Sequence, residues 1–491
     1  MLAHDGRVTA TGALLNEAVL ARPGSAGWMT WLSNPTVFLC LVGVLLPNLL
    51  SVGSLIGGVG VPPRPAMIAI YAVLVILARF VPPAVIVPIY LLGVVFDFTS
   101  TVALLVNLAA RDIFYALPLI ADLQLFRSPL YVGLAIASVT VVGLNLYLLL
   151  TKRDLLRRGN PFVMMGVAAA FGVADYVANT SPHYDHGALY AAGKPMASAA
   201  DASGFRQAAA AAGPQQTALA HSASSMQIAA GSGRHVLLIV VEALGQFRDP
   251  KLQALVMDRI ETPALLETYR LETGATTYYG STTAAEMREL CDTRASYREL
   301  LSGKALSCLP AHMAARGYDT VAMHNFTGQM FERTQWYPKI GFRQSIFGED
   351  ILKTNAQLCG GSFRGPCDTA MVPLIEQRLQ EAGKPTFLYW LTLSTHVPVK
   401  PRDGTPRLAC DASDRAIGDA EVCYMTEMWM DLFDKLADMI PRLPSTEILI
   451  VGDHAPLLWR KNARNLFEPG KVPWLRLTPR DNLSAASPVQ K

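Results

Sequence analysis

The stretch His235-Val-Leu-Leu-Ile-Val-Val241, followed by Glu242-Ala-Leu-Gly245, decides how the second half of this chain folds. It is an unbroken apolar run without polar alternation and rich in β-branched residues. Such a run reads as a strand buried on both faces. Three further runs have the same character: YDTVA at 318–322, TFLYWLTL at 386–393 and EILIV at 447–451. Helical patterns lie between them, at 284–291, 308–316, 369–382 and 421–439. Alternation of this kind predicts an α/β domain with a mostly parallel sheet covered on both faces. Ligands in such sheets bind beyond the carboxyl ends of the strands.

That rule makes the residues after each strand informative. The first strand leads to Glu242, the second to His324, the third to His396 and the fourth to Asp453-His454. Each has a plain alternative. Glu242 could simply complement a helix dipole. Asp453 could be a turn residue hydrogen-bonded to its neighbour. Thr282, in Gly280-Ser-Thr-Thr-Ala-Ala-Glu-Met287, could be an N-cap with Glu286 as a capping-box acid. Arg333, in His324-Asn-Phe-Thr-Gly-Gln-Met-Phe-Glu-Arg333, could be a surface residue, and His324 and His396 structural histidines. Taken together, the carboxylates and imidazoles suit a divalent cation. A hydroxyl at a helix start and an arginine fork suit phosphate.

Upstream, the composition changes. Residues 36–61 contain no charge, enough to cross a bilayer core of roughly 30 Å. Apolar runs follow at 65–78, 81–96, 128–150 and 161–177, bounded in places by Arg79 and Asp97. Five membrane helices are expected. The loop 151–160 carries Lys152, Arg153, Arg157 and Arg158 against one acid, Asp154, which places it in the cytoplasm. Everything beyond about residue 179 then faces the opposite side. Residues 1–35 read as a cytoplasmic N-terminal segment, 36–179 as the membrane domain, 180–232 as an Ala/Ser/Gly-rich linker and 233–491 as the catalytic domain. No role is given to the linker's His183, His186 and His221.

Six of the seven cysteines fall in the part assigned outside: Cys291, Cys308, Cys359, Cys367, Cys410 and Cys423. They form three sequential couples, as expected of disulfides in an oxidising compartment. The spacings do not match zinc-finger patterns. A net charge of +3 leaves no polybasic surface to suggest a nucleic-acid partner.

The ordered set IVVE, GSTT, H-x8-R with WYPKIGF, STHVP and GDH resembles the alkaline phosphatase superfamily. Within it, the chain is similar to membrane-anchored head-group transferases: lipoteichoic acid synthases, phosphoglycerol transferases and phosphoethanolamine transferases. The resemblance implies a sulfatase-like periplasmic domain on an inner-membrane anchor. It implies a Thr282 nucleophile and a metal held by Glu242, Thr282, Asp453 and His454. His324, Arg333 and His396 match positions that hold substrate phosphate, with His396 also moving a proton. Two positions depart from these relatives: Phe331 stands where lipoteichoic acid synthases carry Trp, and GSTT differs from the N-T-T of many lipid A enzymes. Donor head group and acceptor therefore stay open.

The activity this implies is transfer of a phosphoethanolamine or phosphoglycerol head group from a membrane phospholipid to a glycan or lipid acceptor, through a phosphothreonine. The mixed ligand set leans to zinc or manganese over magnesium. Three rivals remain: a phosphodiesterase, a non-catalytic scaffold of envelope assembly, and a sulfatase. The sulfatase would need a C/S-x-P-x-R segment that STTAAEMREL does not supply.

Overall fold

The computed structural model describes residues 33–57, 60–105, 114, 129–180, 234–354 and 356–480. The expected linker at 180–232 and N-terminal segment at 1–35 lie almost wholly outside these residues.

The apolar runs form helices α1 (Pro35–Gly57), α2 (Pro65–Leu77), α3 (Pro83–Leu105) and α4 (Pro129–Thr151), then the short basic α5 (Arg153–Arg158) and α6 (Pro161–Asn179). Proline stands in the first turn of α1, α2 and α6, where its missing N–H costs nothing. Asn34 and Asn160 cap α1 and α6 by accepting from backbone N–H groups. All five expected helices are present, and α1, α3, α4 and α6 are long and apolar enough to cross a membrane. The 13 residues of α2 span about 20 Å, short of a full crossing.

One expectation is corrected here: Asp97 does not end its helix, because α3 runs through it to Leu105. The acid is tolerated inside because Arg64 grips it with two guanidinium nitrogens and Tyr71 donates at 3.0 Å. Arg64 also donates its backbone N–H to Asp175 on α6. An ionic side chain in an apolar bundle persists only when paired in this way.

The second half folds around a seven-stranded sheet of β1 (His235–Val241), β2 (Tyr269–Thr277), β3 (Asp319–His324), β4 (Gln344–Ile346), β7 (Thr386–Leu391), β8 (Thr446–Gly452) and β9 (Lys471–Pro479), in the order β2-β9-β8-β1-β7-β3-β4. A separate hairpin pairs β5 (Leu358–Cys359) with β6 (Gly365–Pro366). The strand that decided the fold lies at the centre, parallel to β7 and β8 and fully buried beyond His235. The sheet is mixed: β9 is antiparallel to β8, and β2 to β9. Those two strands escaped the sequence reading because YRLETGATT is half exposed and polar, and KVPWLRLTP contains proline and charge. Among the flanking helices are α7 (Thr282–Cys291), α8 (Leu309–Ala315), α9 (Asp368–Gln380), α10 (Ala420–Met439) and α11 (Lys461–Arg464).

The parallel register lines up the strand ends. Val241 pairs with Gly452, so Glu242 and Asp453 are the next residues of neighbouring strands. Leu391 pairs with Val240 on one side and His324 on the other. The second strand runs to residue 324 rather than 322, so His324 is its last residue instead of following it. All three expected disulfides form: Cys291–Cys308, Cys359–Cys367 and Cys410–Cys423. Cys40 is a free thiol on α1.

Candidate active site

Glu242 leaves β1 through a turn in which Ala243 has a positive φ of 56°. The turn is held from both sides. Thr392 accepts from the Glu242 N–H at 2.9 Å, and Thr395 donates to the Glu242 carbonyl at 2.6 Å. On the other side, Asp453 Oδ1 accepts from the N–H groups of Ala243 and His454, at 2.7 and 2.6 Å. Asp453 Oδ2 is buried and has no hydrogen-bond donor.

Thr282 opens α7 at its first helical position. Ser281 is the N-cap, and its side chain makes no capping bond. The capping reading of Thr282 and Glu286 therefore fails. The Thr282 hydroxyl instead lies 3.4 Å from Glu242 Oε2 and 3.3 Å from His454 Nε2. His454 Nδ1 donates to the Ala455 carbonyl at 2.9 Å. That fixes the tautomer and leaves a lone pair on Nε2. This nitrogen sits 3.3 Å from Asp453 Oδ2 and 3.8 Å from Glu242 Oε1.

Acceptor atoms of three buried side chains thus crowd one point beside a hydroxyl, with ligand atoms within 4.8 Å of one another. Four ligands bound at 2.0–2.2 Å in a tetrahedron have edges of about 3.3–3.6 Å. The separations match that scale, and the unpaired Asp453 oxygen has no other partner. Glu242, Asp453, His454 and Thr282 could hold a divalent cation. The electrostatics agree: burial first, then the neighbouring Asp453 charge, push the Glu242 carboxyl well above its usual range. Two acids placed so close call for a positive charge between them.

His324 and His396 lie at the adjacent strand ends. Each donates Nδ1–H to a backbone carbonyl, Leu391 at 3.0 Å and Val397 at 2.9 Å. Burial keeps both neutral. It drives His324 well below the ordinary histidine value, with Arg333 adding to the effect, and brings His396 down to about 4. Their Nε2 atoms are therefore acceptors at neutral pH.

Arg333 is not an open fork. It is buried and bound to both oxygens of Glu286, at 2.8–3.2 Å, and to the Met330 carbonyl. Tyr337 and Tyr389 also donate to Glu286. Phosphate-binding capacity that the sequence assigned to Arg333 is spent on a carboxylate of its own chain, one helical turn after Thr282.

Three site-forming residues were missed. Arg288 donates from α7 to the carbonyls of Gly452 at 2.7 Å and Asp453 at 3.2 Å. Asp368 accepts from Asn325 and from the N–H groups of Leu393 and Ser394, at 2.8–3.0 Å. Burial raises its carboxyl to about 6 despite those bonds. Phe363 lies on the His396 ring with centroids 3.7 Å apart. The only signals in sequence were an acid directly after Cys367 and a buried-looking Arg-Glu pair in a helix.

Residues 234–478 match the family model described as Sulfatase. No curated protein matches the chain. Among solved structures, the lipoteichoic acid synthase LtaP from Listeria monocytogenes is 15% identical with a TM-score of 0.40, covering 51% of this chain and 66% of that one. The phosphoglycerol transferase GacH from Streptococcus pyogenes, in complex with sn-glycerol-1-phosphate, is 15% identical with a TM-score of 0.37, covering 51% and 72%. The C-terminal periplasmic domain of EptC from Escherichia coli is 14% identical with a TM-score of 0.36, covering 51% and 74%. The chain thus spans less than two thirds of the length of the first of these.

Proposed function

Because residues 234–478 form a domain of the sulfatase family, within the alkaline phosphatase superfamily, we propose that the chain is a membrane-anchored, metal-dependent transferase of phospholipid head groups. The observation that carries this reading is the Thr282 hydroxyl sharing one point with Glu242, Asp453 and His454. The apolar helices keep such a site beside a lipid donor. The three disulfides support a catalytic domain in an oxidising compartment, the periplasm of a bacterial inner-membrane protein.

A divalent cation bound here, zinc or manganese by the chemistry of the donors, would acidify the Thr282 hydroxyl and offset charge on the phosphate. The chain's own residues do the rest. Glu242 accepts from the hydroxyl and orients it. Thr282 Oγ bonds to the donor phosphorus as the bond from phosphorus to the diacylglycerol oxygen breaks. The Thr282 proton ends on that oxygen. In the second half, the acceptor hydroxyl loses its proton to the neutral Nε2 of His396 or His324 and attacks the phosphothreonine. The proton returns to Thr282 Oγ as the new ester forms. Phosphoethanolamine and phosphoglycerol both fit this scheme, as do glycan and lipid acceptors. Handing the group to water instead would make the same site a phosphodiesterase.

Intact-mass measurement of the full chain after incubation with mixed phosphatidylethanolamine and phosphatidylglycerol vesicles tests the reading. A mass equal to one head-group phosphate, mapped to Thr282, is expected. No adduct, together with undiminished diacylglycerol release by Thr282→Ala, would refute it.

A further inference from the structure

The hairpin of β5 and β6 pairs only Leu358 with Pro366 and Cys359 with Gly365. Two residues a side cannot hold a hairpin by themselves. This one is held by the Cys359–Cys367 disulfide, by the Gly360 N–H bonded to Asp403 at 2.7 Å, and by Asn325 donating to the Pro366 carbonyl at 3.0 Å. Its glycines let it wedge closely. A Cβ at Gly365 would lie 2.2 Å from the Asn325 carbonyl oxygen, and one at Gly361 would lie 2.6 Å from that of Pro398. The hairpin therefore sits between the turn after His324 and the turn after His396.

At its tip, Phe363 places its ring on His396, tilted 34°, and Phe326 flanks Phe363 at 5.8 Å. The Nδ1 bond to Val397 fixes one edge of the imidazole. Phe363 closes one face. We propose that Phe363 is a positioning residue for His396, and that the Cys359–Cys367 disulfide holds it in place. The inference rests on the reading of His396 as a proton-moving group of the transfer site. Reduction of this disulfide would loosen His396 without touching the cation ligands, which lie on β1, β8 and α7. The site would keep its metal and lose its rate.

The test uses the full chain in nanodiscs of phosphatidylethanolamine and phosphatidylglycerol. It reads diacylglycerol release together with bound metal by elemental analysis. Phe363→Ala should lower kcat by roughly ten-fold with metal content unchanged. Phe363→Tyr should restore most of the rate, and Cys359→Ser with Cys367→Ser should reproduce the loss. In a His396→Gln background, Phe363→Ala should cost nothing more, because the two act as one unit. Fully additive losses, or a Tyr variant as slow as the Ala variant, would overturn the proposal. Wild-type turnover by Phe363→Ala would overturn it too. Wild-type turnover by Thr282→Ala would instead defeat the underlying reading, so the two failures are distinguishable.

Discussion

The guanidinium of Arg288 donates to the carbonyl of Asp453 at 3.2 Å and to that of Gly452 at 2.7 Å. Arg288 stands six residues after Thr282 on α7 and is almost wholly buried, with Glu289 as its counter-ion. One side chain thus fastens the helix that opens with the hydroxyl to the strand end that carries two of the acceptors. On the far side of α7, Glu286 is gripped by Arg333.

Arg288→Gln leaves Glu289 buried without its ion partner. Loss of one member of such a pair costs about 3–5 kcal/mol. Denaturant unfolding of the full chain in detergent should show a loss on that scale. Arg288→Lys retains charge but not the fork, and should lose about 1–3 kcal/mol. Both variants should bind zinc or manganese about 10- to 100-fold more weakly, as expected when support behind a ligand is removed.

Thr282→Ala should lower diacylglycerol release by about 10³-fold or more while leaving the unfolding midpoint near wild type. Thr282→Ser retains a hydroxyl at the helix start and should recover a measurable part of the rate. A kinetic assay on lipid vesicles checks both.

Chelation and Glu242→Gln should interact with opposite signs. Removing a divalent ion at 100 times its Kd should cost about 2.7 kcal/mol of stability. Without metal, burial and Asp453 make the Glu242 charge unfavourable, so Glu242→Gln should then be neutral or stabilising. With metal added, the same variant should gain far less than wild type. Thermal melts with and without added zinc or manganese provide the measurement.

Two buried groups should tilt stability in opposite directions below neutral pH. His396 is lowered from 6.5 to about 4 in the folded protein. The unfolded chain therefore takes up the proton first, and His396's contribution is present above 6.5 and lost as pH falls from 6.5 toward 4. Asp368 is raised from 3.8 to about 6. Here the folded protein holds the proton longer, so stability falls as pH rises from 3.8 through 6. Each window is worth on the order of 3 kcal/mol. Urea unfolding between pH 4 and 7 should show partial cancellation in wild type. His396→Gln should expose a falling slope with rising pH, and Asp368→Asn a rising one.

Much of this site could be read from the sequence because its parts follow strands. HVLLIVV, TFLYWLTL and EILIV have no polar alternation, so their burial and their ends were legible, and with them Glu242, His396 and Asp453-His454. Thr282 and Glu286 were ambiguous, since a hydroxyl before a helix with an acid four residues on fits a cap as well as a nucleophile. Only the third dimension shows Glu286 turned to Arg333, a partner 47 residues away. Arg288, Asp368 and Phe363 were illegible for a related reason. Their meaning lies in backbone carbonyls, amides and a ring that the fold brings to them, and no local spacing encodes those. The edge strands β2 and β9 were missed because a half-exposed strand with charge and proline looks like loop.

Glu242 and Asp453 succeed paired residues of two adjoining parallel strands. Their separation is consequently inherited from the hydrogen-bonded ladder itself, the most rigid ruler a protein owns. Evolution could lengthen, shorten or redecorate the surrounding loops to suit a new donor or acceptor while the spacing of these two acids stayed untouched. Chemistry and selectivity are therefore separately adjustable in this architecture, and retargeting it would begin with the hairpin and the turns, leaving the ladder alone.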